Sequence, residues 1–279
     1  MSMTRLNGVR LSWDLRGETG DLLVLVHGSW GDHHNWDSIV PSLERSFRVL
    51  TYDRRGHSQS ERLDGQGRID EDVADLASLI DHVGRGPAHI VGNSFGATIV
   101  LRLASERPDL FRSLMAHEPP LFRLLEHEPQ AQAALSTISE RTAVVMQILE
   151  TGDYPGGARQ FVETIALGPG AWEELPPALR ETFIFNASTW LDEMRDPEAL
   201  SITLDRLQAF PVRALLTLGE RSPNIFHLVV RTIAQNMPRA MTSTFHGAGH
   251  VPHLSHPGEY VDMVMSFAGQ AAPVRGWSR

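Results

Sequence analysis

Three short segments carry groups that could act together on a carbonyl carbon. The first is Gly92-Asn93-Ser94-Phe95-Gly96, a G-x-S-x-G pentapeptide set between a β-type apolar run (residues 88–92) and a helical one (97–105). A serine on a sharp strand-to-helix turn is lifted clear of the sheet, and small residues two places before and after it relieve the crowding. The helix behind it aims backbone N–H groups at an anion forming in front. This setting favours a nucleophile over a serine that merely caps a helix. The second segment is Gly247-Ala248-Gly249-His250-Val251-Pro252-His253. It comes late in the chain, where a glycine-flanked His250 can reach over the sheet edge and take the serine's proton. His246, His253 and His256 stand nearby but end a strand or begin a helix, which leaves His250 as the candidate base. The third segment is His27-Gly28-Ser29-Trp30-Gly31, at the end of an earlier strand. An oxyanion hole needs two amides, and Phe95 N–H and Ser29 N–H are the candidates, with Trp30 N–H as the alternative for the second. Gly28 and Gly31 let the backbone approach a substrate closely, and Gly28 and Trp30 are expected to touch it. His27 reads as a brace for this loop rather than a catalytic group.

These groups suit nucleophilic acyl transfer through an acyl-enzyme at Ser94, a chemistry that calls for no metal and no cofactor. His27–Gly31, Tyr52-Asp53-Arg54-Arg55-Gly56-His57-Ser58-Gln59-Ser60, Gly92–Gly96 and Gly247-Ala248-Gly249-His250-Val251-Pro252-His253-Leu254-Ser255-His256-Pro257 together resemble the α/β-hydrolase superfamily, serine before histidine. The resemblance spans the chain outside a central helical region. It implies an acid three residues beyond Gly219, and that position holds Ser222, which cannot orient an imidazole and offset its charge as a carboxylate does. Two carboxylates could replace it. Glu220 is two positions early and has Arg221 beside it as a possible ion-pair partner. Glu118, in His117-Glu118-Pro119-Pro120, matches branches of the superfamily that place the acid after the strand preceding the lid. Those branches include certain haloalkane dehalogenases and the zearalenone lactone hydrolases. The lactone hydrolases are similar here in the His-Glu-x-Pro, the Ser nucleophile and the late His followed by Ser-His-Pro. Glu118 is therefore the expected acid. The same resemblance makes Asp53 and Arg54 loop ties rather than substrate ligands.

The elements that must position these residues alternate. β-type runs fall at residues 9–15, 22–26, 47–52, 88–92 and 114–117, with the clearest amphipathic helix at 69–83, where Val73, Leu76, Ala77, Ile80 and Val83 share a face. Such alternation implies an α/β fold with a mainly parallel sheet flanked by helices. After Pro119-Pro120 only helical stretches appear, at 131–152, 157–167, 177–194 and 197–208, before a strand at 212–218, a helix at 224–236, a strand at 240–245 and a last helix at 257–269. The expected organisation is an α/β-hydrolase core of 1–119 and 211–279 with a helical lid, 120–210, inserted in it. Within the lid, Trp190 and Met194 are the residues expected to face the substrate.

Composition narrows the partners. A formal charge of −9 leaves no basic surface to collect phosphates, which argues against a nucleic-acid partner. With no cysteine, disulfides, thiolate metal sites and a thiol nucleophile are excluded. The first residues lack a secretory pattern and the longest apolar run, 22–26, is far too short to cross a bilayer, so a cytoplasmic protein without membrane contact is expected. A homodimer is compatible with the sequence. No Lys/Arg cluster in the lid marks a site for phosphate or dicarboxylate, so the expected substrate is a small-to-medium, mostly apolar ester or lactone. An epoxide hydrolase or dehalogenase would need Asp at position 94 to form an alkyl ester. A C–C bond hydrolase using the same Ser and His, a hydrolase-derived ligand receptor and, more distantly, a cofactor-free dioxygenase or haloperoxidase are the other readings of these motifs.

Overall fold

Leu22 through Val26 are buried without exception, as a strand covered by helices on both faces requires. The computed structural model describes residues 1–65, 67–84 and 86–269; the tail 270–279, expected to fray, lies outside the described residues. The strands are β1 (Ser2–Leu6), β2 (Val9–Arg16), β3 (Leu22–Val26), β4 (Arg48–Tyr52), β5 (Ala88–Asn93), β6 (Phe111–His117), β7 (Ala214–Gly219) and β8 (Ala240–Phe245). They form one eight-stranded sheet in the order β1-β2-β4-β3-β5-β6-β7-β8. β1, β2 and β4 pair antiparallel, and from β4 through β8 every pairing is parallel.

The helices are α1 (Val40–Leu43), α2 (Ile69–Val83), α3 (Phe95–Glu106), α4 (Gln132–Glu150), α5 (Tyr154–Phe161), α6 (Ala171–Glu174), α7 (Pro177–Arg195), α8 (Leu204–Gln208), α9 (Asn224–Asn236), α10 (Pro252–Ser255) and α11 (Pro257–Ala268). Two apolar layers sandwich the sheet. One gathers α2, α3 and α9 through Leu76, Ile99 and Val229, and the other gathers α1 and α11 through Leu43 and Val264. A third cluster belongs to α4, α5 and α7 and includes Val145, Ala158 and Ala187. Every element between β6 and β7 is helical.

The differences from expectation have local causes. β1 is half exposed and carries no apolar run, so its partner β2 rather than its own pattern makes it a strand. The helix expected at 197–208 begins only at Leu204, because Ser201-Ile202-Thr203 is poor helix sequence and the Ser201 hydroxyl bonds the Glu198 carbonyl instead. The stretch at 157–167 is a helix to Phe161 and then a π-turn, Val162–Ala166, a widened turn often found at functional sites.

Candidate active site

β5 ends in Asn93, and Ser94 follows at φ 56°, ψ −124°, a conformation L-residues rarely adopt. α3 starts at the next residue, and the Ser94 side chain makes no capping bond to it, so the hydroxyl is not spent on helix capping. The turn is possible only because its flanks lack side chains. A Cβ on Gly92 would stand 2.5 Å from Gly96 O, and one on Gly96 would stand 2.3 Å from Val26 O. Ser94 and His250 line the same cavity. No hydrogen bond joins them among the described residues; such contacts are commonly long without substrate and close as it binds.

Glu118 follows β6, next to β5 in the sheet, and has the left-handed φ of 45°. Its side chain is wholly buried. Oε2 lies 2.6 Å from His250 Nδ1, and Oε1 accepts the Gly219 N–H at 2.7 Å. The carboxylate is thus held between the ends of β6 and β7 and the loop after β8. Burial alone would raise its pKa. The His250 hydrogen bond, with the charges of His117 and His250, reverses this and brings it down to about 2. Ser222, in the position where the resemblance calls for an acid, sits against the same carboxylate: its buried hydroxyl favours the ionised form, although it makes no well-formed hydrogen bond. Glu220 points elsewhere. Its side chain is 57% exposed, and it accepts the Gly247 N–H at 2.6 Å, shaping the loop without touching the imidazole.

Two more groups fix the imidazole. Asn93 Nδ2 donates to His250 O at 3.1 Å, and the Phe226 ring of α9 stacks on His250 with centroids 5.0 Å apart. Neither was legible as a site residue in the sequence. Asn93 occupies a variable place in the pentapeptide, and Phe226 looks like one more apolar residue on a helix. His117 lies under the pair, its Nδ1 3.0 Å from Thr217 Oγ1, and burial pushes it down to about 4, which keeps it neutral near pH 7.

The loop after β3 runs opposite. His27 Nδ1–H donates to Gly28 O at 2.8 Å and Nε2 accepts the Arg54 N–H at 3.0 Å. Burial lowers its pKa to about 3, so it is a neutral brace. Phe95 N–H and Ser29 N–H donate to no protein acceptor among the described residues, which leaves both free for an oxyanion. Trp30, expected beside the substrate, lines neither cavity described below. Its φ is 68°, its indole is fully buried, and it stacks on Phe161 at 4.8 Å and meets Trp190 at 5.5 Å, which takes it into the apolar cluster of the helices between β6 and β7. Asp53 accepts from His33 and from Gln59 N, a loop tie as expected. His253 is buried against Trp36, His246 is exposed beyond β8, and His256 precedes α11; none lines either cavity at Ser94.

Two largely apolar chambers meet at Ser29, Ser94, Phe161, Ala166 and His250. One, of about 590 Å³, extends under α4 and α7 past Ile138, Trp190 and Met194 to Phe226. The other, of about 620 Å³, runs past Gly28 and Asn93 to Leu175, Leu179 and Phe183. The π-turn forms a wall common to both. Among the described residues, His117/Glu118/His250 and Asp32/His33/Asp53 place ligand-type atoms close enough to hold a metal ion. In each a 2.6 Å imidazole–carboxylate hydrogen bond already accounts for the clustering.

Residues 23–263 match the Alpha/beta hydrolase family. The chain belongs to that family. Among curated relatives of this chain, the uncharacterized hydrolase YraK of Bacillus subtilis is 33% identical over 129 residues, 45% of this chain and 47% of that protein. The chain thus spans less than half the length of the curated relatives it matches. Among solved structures, the α/β hydrolase MGS-M2 from a Medee basin deep-sea metagenome library superposes with a TM-score of 0.80 at 17% identity, covering 99% of this chain and 100% of that one. The enol-lactonase of Burkholderia xenovorans LB400 gives 0.73 at 20% identity, covering 96% and 100%. At such identities the likeness is one of fold. No helix among the described residues is long and apolar enough to cross a membrane.

Proposed function

We propose that this α/β hydrolase is a serine hydrolase of carboxylic esters or lactones. His250 takes the Ser94 proton as Oγ attacks the carbonyl carbon, and the imidazolium that forms is offset by Glu118. The tetrahedral oxyanion lies against Phe95 N–H and Ser29 N–H; it collapses by expelling the alkoxide, to which His250 returns the proton. Water then attacks the acyl-serine with His250 again as base, releasing the acid and restoring Ser94. In a lactone the alkoxide stays tethered to the acyl group, and one open-chain hydroxy acid leaves.

The observation that carries this reading is the 2.6 Å contact of a fully buried Glu118 with His250 Nδ1. That contact leaves Nε2 as the nitrogen able to serve Ser94. The apolar chambers on either side of Ser94 support a substrate with a hydrocarbon group on each flank of its carbonyl. The helices between β6 and β7 act as its cap, closing over both chambers.

The test is steady-state turnover of p-nitrophenyl acetate, butyrate and octanoate by the wild-type chain and by Ser94→Ala. The proposal expects multiple turnover, fastest on the longer esters, and a loss of at least about 10³-fold in the variant. Ester turnover that survives the Ser94 substitution would overturn it. Cleavage of a vinylogous diketone, with esters untouched, would move the assignment to C–C bond hydrolysis.

A further inference from the structure

Helix α7 buries polar residues beside apolar ones. Ala187, Trp190 and Leu191 turn inward as a helix packed on a domain requires. Asn186, Thr189 and Glu193, at spacings of three and four and therefore on one face, are also at most 3% exposed. Each meets a loop of the core. Asn186 Nδ2 donates to Trp30 O at 3.1 Å and Gly31 O at 2.9 Å, while its Oδ1 accepts the Ser58 N–H at 2.8 Å. Thr189 Oγ1 lies 3.0 Å from Nε2 of the buried His57. Glu193 Oε2 accepts the Ser29 hydroxyl at 2.5 Å, and Oε1 accepts Arg54 Nη2–H at 2.8 Å. Arg54 also grips Asp72 through Nε and Nη2, both at 3.0 Å, and donates from Nη1 to Gly28 O at 3.3 Å.

The loop Gly28–Gly31 is therefore tied at each of its residues. Arg54 holds Gly28, Glu193 holds Ser29, and Asn186 holds Trp30 and Gly31. Trp30 keeps its left-handed backbone inside this set of contacts. A buried ion pair adds little net stability over an apolar pair of the same shape, so its presence here points to a geometric role. The same loop carries the amide assigned above to the oxyanion.

We propose that Glu193, working with Asn186, is a positioning residue for the oxyanion hole: the cap, through the polar face of α7, sets where the Ser29 N–H points. This rests on the serine-hydrolase reading above. Neither residue touches substrate; they act through the loop, and Glu193 does so through the Ser29 hydroxyl.

Ser29→Ala removes only that hydroxyl and leaves the amide in place. Glu193→Ala removes its partner, and Glu193→Gln can keep one, its oxygen accepting from Arg54 and its NH2 donating to the Ser29 hydroxyl oxygen. The three variants and the Ser29→Ala/Glu193→Ala double variant are compared on p-nitrophenyl butyrate, with folded sites counted by titration with a fluorophosphonate. Inhibition by a trifluoromethyl ketone, whose hemiketal oxygen occupies the oxyanion hole, is measured alongside. Ser29→Ala and Glu193→Ala should each lower kcat about 10- to 100-fold with KM within about threefold, and weaken the ketone by the same factor. Glu193→Gln should recover most of that loss, and the double variant should be no worse than the weaker single one. Unchanged kcat and ketone affinity per titrated site in Ser29→Ala or Glu193→Ala would overturn the proposal. A loss in Ser29→Ala alone would do the same, because it would assign the hydroxyl to direct substrate contact. Should Glu193→Ala not fold, Asn186→Ala takes its place, since it frees the same loop at Trp30 and Gly31: a matching loss there and in Ser29→Ala supports the proposal, and a loss in Ser29→Ala alone overturns it. A wild-type chain that the fluorophosphonate does not label would instead refute the serine-hydrolase reading itself.

Discussion

Glu118→Gln is the most informative single substitution. Glutamine is nearly isosteric, and its Oε1 can still accept the Gly219 N–H, so the strand ends need not move. What changes is the other arm. An NH2 group replaces the acceptor 2.6 Å from His250 Nδ1, and two donors cannot face each other at that distance. The imidazole must turn its lone pair to Nδ1 and carry its proton on Nε2, the tautomer that cannot take a proton from Ser94, and the imidazolium loses its buried counter-charge. The equivalent loss in a serine triad is about 10⁴-fold in kcat, or about 5 kcal/mol of barrier. Glu220→Gln alters a solvent-exposed loop contact and should change kcat less than about twofold. The assay is kcat and KM on one p-nitrophenyl ester for both variants, with circular dichroism to confirm folding. A folded Glu118→Gln enzyme retaining more than a tenth of wild-type kcat, or a Glu220→Gln enzyme losing a hundredfold, would refute the reasoning.

Gly96→Ala would set a methyl group 2.3 Å from the Val26 carbonyl oxygen, so it should cost about 3 kcal/mol and lower Tm by roughly 10 °C in a thermal melt. The depressed Glu118 carboxyl binds fewer protons in the folded than in the unfolded chain. The stability it contributes is therefore complete above its ordinary value of 4.5 and is lost as pH falls towards about 2, a difference of about 3 kcal/mol across that window. Urea unfolding of wild type and Glu118→Gln should accordingly converge between pH 4.5 and 2; a constant gap would contradict the ionised state of Glu118. Met194→Ala enlarges the chamber under α7 and should raise kcat/KM for a hexanoate over a butyrate ester by about tenfold, measured by competition between the two.

Much of this arrangement is visible in the amino-acid sequence where the physics is local. LLVLV is a two-faced buried strand whatever surrounds it, and the glycines around Ser94 and His250 mark tight turns on their own. The parts that stay hidden depend on partners distant along the chain. Glu118 lies 132 residues from His250, and it is the resemblance, together with its place one helix and one strand after Ser94, that favours it over Glu220. Trp30 looked like a cleft residue because it sits in a cleft loop, but its indole turns into a cluster built by Phe161 and Trp190. Asn186, Thr189 and Glu193 resemble the solvated face of a helix. They become buried only because Arg54, His57 and the loop at Gly28–Gly31 supply their partners. β1 exists through β2, and residues 197–203 fail as a helix through the weak propensity of Ser201-Ile202-Thr203.

The central claim, that Ser94 is the attacking group, is tested most directly by treating the protein with a fluorophosphonate, measuring intact mass and mapping the adduct by peptide sequencing. One adduct per chain, on the peptide containing Ser94 and absent from Ser94→Ala, is the predicted result. Labelling of another residue, or none while ester turnover continues, would contradict it.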